Sequence, residues 1–457
     1  MSYGGSSMPS LKIFGVVVAL TLWLISGRAT HGQKAEVDEM ARQAIRQNGH
    51  ATVLVKLNQQ PLKAPTQDER LRQIQQLEDS VLLGLNQQDL QLRYRYQTVP
   101  GFSALLFESG LLKLEKHPDV ESIMMDREGR GGLLESVPAI QADIAHDWGF
   151  TGQGVNVAVL DSGVDLRHPD LKDDIVFEYH FLNQGADVGP GAQDQHGHGT
   201  NVTGIITSDG MIAPTGVAPR AKIVAIRVLD ANASGWLSDW VAGVDYIVAN
   251  NDTLNVKVIN MSLVTFALYK GSHCDAALPL PATVFTAAHN SGAVIFVSSG
   301  NNGSTNSMSA PACLSGAVAV GAVYDSDLGR EPDSGTYRTL FGNRWPDCAD
   351  LTTSLQTLTC FTNRNEKLGL VAPGSRITST GLGSRRSTFI GTSQASPHAA
   401  GVAALMLQKD PSLTPAAIIE TMKNSSVRVD DPATELSFPL LNAAEALEQV
   451  PGPLVSP

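Results

Sequence analysis

Cysteine is scarce in this chain. There are four in 457 residues, at positions 274, 313, 348 and 360, and no C-x-x-C pair occurs among them. That spacing argues against the common tetrahedral zinc sites. Basic charge is also in short supply. The 33 Lys and Arg stand against 45 Asp and Glu, a formal net charge of -12. An acidic balance speaks against nucleic acid, or an anionic membrane surface, as a partner. Heptads, proline-rich tracts and solenoid-length repeats are missing. One apolar run, Ile13 to Ile25, is free of charge, and it is short for a membrane span.

What remains is an ordinary globular composition, 42% hydrophobic and 17% charged, with enough chain for a sizeable core. The apolar run follows Lys12 and precedes the small residues Gly27, Ala29 and Gly32. That pattern reads as a secretory signal peptide over 1–32, and the alternative is an uncleaved membrane anchor. In a secreted chain the four cysteines read as two disulfides; the alternative is free buried thiols. Three pairings are open. Cys348 with Cys360 would clip a loop, and Cys274 with Cys313 would then join two loops.

Residues 33–131 carry their own pattern. "ATVLVKL" (51–57) reads as a strand, and "QDERLRQIQQLEDSVLLGL" (67–85) has leucines at helical spacing. "QLRYRYQ" (91–97) and "FSALLFE" (102–108) read as strands, "GLLKLEKHPDV" as a short helix and "ESIMMDRE" as a last strand. The order β-α-β-β-α-β predicts a small ferredoxin-like α+β domain, and "EGRGGL" (128–133) predicts a flexible, cleavable joint.

From 132 to 457, strand-like runs alternate with helical ones: "VNVAVLD", "AKIVAIRVL", "VKVINMSL", "AVIFVSSG" and "AVAVGAV". Continuous Val/Ile/Ala runs predict strands buried on both faces, hence an α/β fold with a parallel sheet covered by helices. Working residues in such sheets sit at the carboxyl ends of strands, which points to Asp161, Ser262 and Asn301. The aperiodic stretch 324–368 reads as a long surface loop.

Three short segments carry chemistry. "VAVLDSGVDLRHPDL" places Asp161 directly after a strand, "DQHGHGTNVTGII" places His198 among glycines, and "GTSQASPHAAG" places Ser393 at a helix entrance with small neighbours. Each alone reads as a cap or a structural residue. Together they are the set needed for acyl transfer: Ser393 as nucleophile, His198 as proton carrier, Asp161 as orienting group. Pro397 cannot donate to the Ser393 carbonyl, a modest loss near a helix start. The order Asp, His, Ser differs from that of the α/β-hydrolases, and "GTSQA" lacks the G-x-S-x-G elbow.

With "DSGVD", "GHGTNVTG" and "GTSQASPHAAG" in that order, the chain resembles the subtilisin-like serine proteases, the subtilase family, over about 145–447. The 33–131 segment resembles the family's inhibitory propeptide. The resemblance implies a seven-stranded parallel sheet with helices on both faces, endopeptidase activity without a required cofactor, and a peptidase domain over 132–457. It implies protein or peptide substrates and the chain's own propeptide as partners. The expectation is a secreted monomer with no stable membrane association.

The family's oxyanion segment is matched by "VSSGNNGS", which implies Asn301 as the side-chain donor and the Ser393 N–H as the second. Ser234, Gly235 and Trp236, with Ser262, Leu263 and Val264, would be edge segments pairing with an extended peptide. Leu237 and Trp240 would line an apolar pocket further from the cut. Ser298, Ser299 and Gly300 would border the pocket for the residue before it, with a preference for large apolar side chains. A calcium site of many relatives aligns with Asp170 and the 208–214 loop, where Asp209 remains.

The departures are Asn201 for a second histidine, Thr203 for alanine, Val264 for glycine and Gln394 for methionine. They motivate an alternative reading, a weakly active or inactive binding protein on the same fold. Of six N-x-S/T sequons, those on elements expected to be buried read as chance.

Overall fold

The computed structural model describes residues 34–58, 67–96, 100–125, 133–328, 348–351, 353–354, 357–425 and 427–452. The predicted signal peptide and the 128–132 part of the joint lie outside them. The chain divides into two compact units, one ending at Gly129 and the other beginning at Arg130.

In the first unit, alternation sets the strands. Along His50–Leu57, Ala51, Val53, Val55 and Leu57 point into the core while their neighbours are more exposed. The four longer strands, His50–Leu57, Leu90–Arg95, Gly101–Phe107 and Val120–Met125, form an antiparallel sheet. Numbered in chain order, they lie 4-1-3-2 across the sheet, the ferredoxin-like arrangement expected. The segment before them is assigned no element from sequence. It holds a two-residue strand, Glu36–Val37, parallel to Val120–Met125, and an amphipathic helix, Glu39–Asn48, that buries Ala41 and Ile45.

The second unit is built on an eight-stranded sheet. From one edge its strands are Leu368–Pro373, Val318–Val323, Val294–Ser298, Val256–Met261, Asn156–Asp161, Lys222–Arg227, Ile175–Leu182 and Asp187–Pro190. The first seven are parallel, and only Asp187–Pro190 runs antiparallel. All five expected runs are strands. Asn156–Asp161 explains why they read as continuous apolar runs. Val157 and Val159 enter one core, with helices His198–Thr207 and Thr392–Lys409, and Ala158 and Leu160 enter the other, with helices Leu237–Ala249 and Pro279–Asn290.

One expectation is corrected. The stretch 324–368 is not simply a surface loop. Within it, 358–365 is irregular yet largely buried: Thr359, Phe361, Thr362 and Asn363 are all fully inaccessible. Thr359 donates from its amide to the Ala322 carbonyl (3.0 Å), and the Thr362 hydroxyl accepts from the Ala322 amide (3.0 Å). Hydrogen bonds to a strand, rather than apolar periodicity, hold the segment inside. The disulfides are Cys274–Cys313 and Cys348–Cys360.

Candidate active site

Three carboxyl ends of neighbouring parallel strands supply one region: Asp161, Ser262 just past Met261, and Ser298 leading to Asn301. This is the crevice where open parallel sheets place ligands. Two helices begin beside it, at His198 and at Thr392.

Asp161 is fully buried. Its Oδ1 accepts from the Ser162 amide (2.7 Å) and faces His198 Nδ1 at 2.7 Å. A carboxylate can only accept here, so Nδ1 carries the proton and Nε2 keeps its lone pair. The His198 ring also meets Phe389 edge-on, with centroids 5.7 Å apart. Burial alone would lower the His198 pKa. The charge and hydrogen bond of Asp161, with the charge of Asp194, outweigh it and raise the pKa above the usual 6.5. The neighbouring His196 is lowered by burial first and then by the charge of His198.

The His198 helix approaches the Asp161 strand closely because residue 199 is glycine. A Cβ there would fall 2.1 Å from the Gly163 carbonyl oxygen and 3.1 Å from Asp161 Cβ. Asp194, not singled out by the sequence reading, secures this entrance. Its buried carboxylate accepts from the amides of His196 (2.8 Å), Gly197 (2.9 Å) and Thr200 (3.0 Å), and from the hydroxyls of Ser162 (2.9 Å) and Thr200 (2.6 Å). An anion at a helix N-terminus satisfies free N–H groups and the helix dipole together. The sequence signal was an Asp ahead of a Gly-rich turn leading into an apolar helix.

Ser393 is half-buried in the first turn of the Thr392–Lys409 helix. Its hydroxyl donates to the Ser262 carbonyl (3.1 Å), and the Ser262 hydroxyl donates to the Ser393 carbonyl (2.7 Å). Buried Asn260 completes the circuit, donating to Ser262 Oγ (3.0 Å) and accepting from Ser396 Oγ (2.7 Å). A residue read from sequence only as part of a sequon is therefore a strut. Asn201 and Asn260 are both fully buried, so neither presents a glycosylation site.

Asn301 accepts at Oδ1 from the Thr392 amide (2.9 Å) and hydroxyl (3.0 Å). These donors fix the amide orientation and leave Nδ2 as the donor end. Ser298, Ser299 and Gly300 are buried beside it, and the Gly300 amide donates to Thr392 Oγ1 (3.1 Å). Ser234, Gly235 and Trp236 are exposed ahead of the Leu237–Ala249 helix. Leu237 is half-buried, whereas Trp240 is only 4% exposed in the core, so it can serve as a floor but not a wall. Leu263 is buried and Val264 half-buried.

Two of the departures meet each other. Gln394 Nε2 donates to Asn201 Oδ1 at 3.4 Å, and Asn201 Nδ2 donates to the Ser387 carbonyl at 2.9 Å. Asn201 and Gln394 thus form one hydrogen-bonded contact bridging the two helices. Thr203 Oγ1 is buried without a partner.

Asp170 and Asp209 do not fit calcium. The buried Asp170 carboxylate accepts from the amides of Met211 (3.1 Å), Ile212 (2.9 Å) and Ala213 (2.7 Å), and from Ser208 Oγ (3.2 Å). N–H groups occupy the directions a cation would need. Asp209 instead lies 3.9 Å from Arg220. Among the described residues, no group of three or more His, Cys, Asp or Glu could hold a metal.

The subtilase family profile matches residues 152–441. This chain belongs to the subtilase family. The peptidase inhibitor I9 profile matches residues 52–130, so the subtilase carries an inhibitor-type propeptide domain. M-protease of Shouchella clausii (strain KSM-K16) is 32% identical over 428 residues, 91% of this chain and 94% of that protein. Subtilisin E of Bacillus subtilis (strain 168) is 32% identical over 349 residues, 74% of this chain and 77% of that one. A solved structure, a cold adapted subtilisin-like serine proteinase, aligns with TM-score 0.49 and 26% identity over 64% of this chain and 90% of that chain. The subtilase is a serine endopeptidase, and its substrates are peptides.

Proposed function

We propose that Asp161, His198 and Ser393 form the catalytic triad of this subtilase, with Asn301 in the oxyanion hole. The observation that carries the reading is the 2.7 Å bond between Asp161 Oδ1 and His198 Nδ1 beside the Thr392–Lys409 helix, whose first turn holds Ser393. In this reading the Ser393 hydroxyl, which donates to the Ser262 carbonyl in the free protein, turns to His198 Nε2 when substrate binds, since catalytic hydrogen bonds commonly close only then. Ser393 Oγ then bonds to the scissile carbonyl carbon while its proton passes to Nε2. The carbonyl oxygen becomes an oxyanion held by Asn301 Nδ2 and the Ser393 amide. Collapse breaks the C–N bond, the leaving amine takes the imidazolium proton, and water releases the acyl group by the same route.

The exposed 234–236 segment and the 262–264 segment are the peptide-pairing edges of this reading, and Ser298, Ser299 and Gly300 border the pocket before the cut. Leu237, over Trp240, forms the more distant apolar site. The enzyme is exported by residues 1–32, removes its propeptide at the 128–133 joint and works as a monomer. Two disulfides support export. No helix among the described residues is long and apolar enough to cross a membrane.

The test is a fluorophosphonate probe on the mature protein, with the labelled peptide located by mass spectrometry. Label on Ser393, lost in a folded His198→Ala variant, is the expected result. A folded mature protein that stays unlabelled would favour the binding-protein reading.

A further inference from the structure

We infer that Asn363 is a positioning residue for the oxyanion loop, acting through Asn301; the inference rests on the assignment of Asn301 made above. Asn363 lies in the buried irregular segment after the second disulfide, outside the three catalytic motifs.

The side chain of Asn363 uses both ends on the loop 299–304. Oδ1 accepts from the amides of Asn302 (3.0 Å) and Ser304 (3.1 Å). Nδ2 faces the Ser299 carbonyl (3.2 Å), Asn302 Oδ1 (3.1 Å) and Ser309 Oγ (3.1 Å). The backbone adds to this. The Asn363 amide donates to the Gly300 carbonyl (2.9 Å), the Gly303 amide donates to Phe361 O (2.7 Å), and the Arg364 amide donates to Ser304 O (2.7 Å). Every residue from 299 to 304 except Asn301 is therefore held from this one segment. Asn301 is left to reach Thr392 and the reacting centre.

The segment is itself anchored. Cys360 is tied to Cys348, and the Arg364 guanidinium pairs with buried Asp431 at 2.7 Å. The fit also explains a glycine. Gly300 has φ +102°, and a Cβ on it would lie 2.3 Å from Asn363 Nδ2. A preorganised donor works only if its backbone does not move as charge develops. The amide of Asn363 cannot be replaced by a carboxylate of the same shape. An oxygen in place of Nδ2 would face the Ser299 carbonyl, an acceptor against an acceptor.

The experiment is a double-mutant cycle. Asn363→Ala and Asn363→Asp are made in the full-length precursor, each alone and with Asn301→Ala. For each, kcat/KM per titrated active site and the thermal midpoint are measured. Alone, Asn363→Ala and Asn363→Asp should each lower kcat/KM by roughly 10- to 100-fold. In the Asn301→Ala background the same changes should cost no more than about twofold, because the donor they position is gone. The isosteric Asp variant answers the question if the Ala variant does not fold. An equal factor in both backgrounds, or a loss under about threefold in the otherwise native enzyme, would overturn the inference while leaving Asn301 in place. If Asn301→Ala itself costs nothing, the oxyanion assignment falls and takes this inference with it.

Discussion

His398 should make the stability of the peptidase unit depend on pH. It lies in the Ser393 helix with no exposed surface. Its Nδ1 donates to the Gln394 carbonyl (2.8 Å), and its Nε2 accepts from the Ser136 hydroxyl (3.0 Å), so the neutral ring is satisfied on both sides. Burial pushes its pKa from the ordinary 6.5 down to about 4, with the Gln394 carbonyl opposing. The sign follows directly. Below pH 6.5 the unfolded chain takes up a proton that the folded chain refuses. Stability is therefore full above that pH, declines as pH falls, and the decline levels off near 4. At about 1.4 kcal/mol per pH unit the loss comes to about 3 kcal/mol. That is a large part of the ~5–15 kcal/mol by which a domain is usually stable. The perturbation is His398→Gln, which keeps a polar group toward Ser136 but does not titrate. The assay is urea unfolding of both proteins, inactivated with a serine-directed reagent, from about pH 7.5 to about pH 4. The variant starts less stable, and the gap should close by about 3 kcal/mol across that range. Parallel curves would refute the argument, because carboxylates common to both proteins cancel in the difference.

Three further outcomes follow. Because Asp161 and Asp194 hold the His198 pKa above 6.5, the acid limb of kcat/KM should lie above that value. Asp161→Asn should cost roughly 10⁴-fold in kcat and move the limb downward, both read from a pH–rate profile. Asp170→Ala removes the acceptor of three loop amides, one of them on buried Ala213, and should cost about 1–3 kcal/mol in thermal or urea unfolding, by the same amount with calcium or with chelator; a calcium-dependent loss would contradict the geometry. Asn201→His and Gln394→Met should be non-additive in stability by at least about 0.5 kcal/mol, since the two native side chains bond each other.

What was legible in the sequence was whatever burial and backbone sterics write locally. Val157, Val159 and their neighbours had to be apolar on both faces, so the strands could be read, and their carboxyl ends located Asp161 and Ser262. The glycines around His198 and Ser393 marked places where chains approach closely. Partners joined across long sequence distances were not legible. Asn260 looked like a sequon, Asp194 carried no signal of its own, and Asn363 looked like part of a loop. Each is defined by donors from elsewhere, and no periodicity announces a hydrogen-bonded strut. The segment 357–365 was misjudged for the same reason: threonine and asparagine replace leucine as its means of burial. Asp170 misled in the opposite sense, since a carboxylate aligned with a calcium ligand is satisfied here by amides of the 208–214 loop. The Glu39–Asn48 helix, by contrast, could have been read from Ala41 and Ile45 one turn apart.

The most direct test of the central claim is the intact mass of the protein secreted as wild type beside Ser393→Ala. The account predicts that wild type loses the propeptide at the 128–133 joint and that Ser393→Ala keeps it, since the chain cuts itself through Ser393. Identical trimming of both, or full-length protein in both, would contradict self-maturation through that serine.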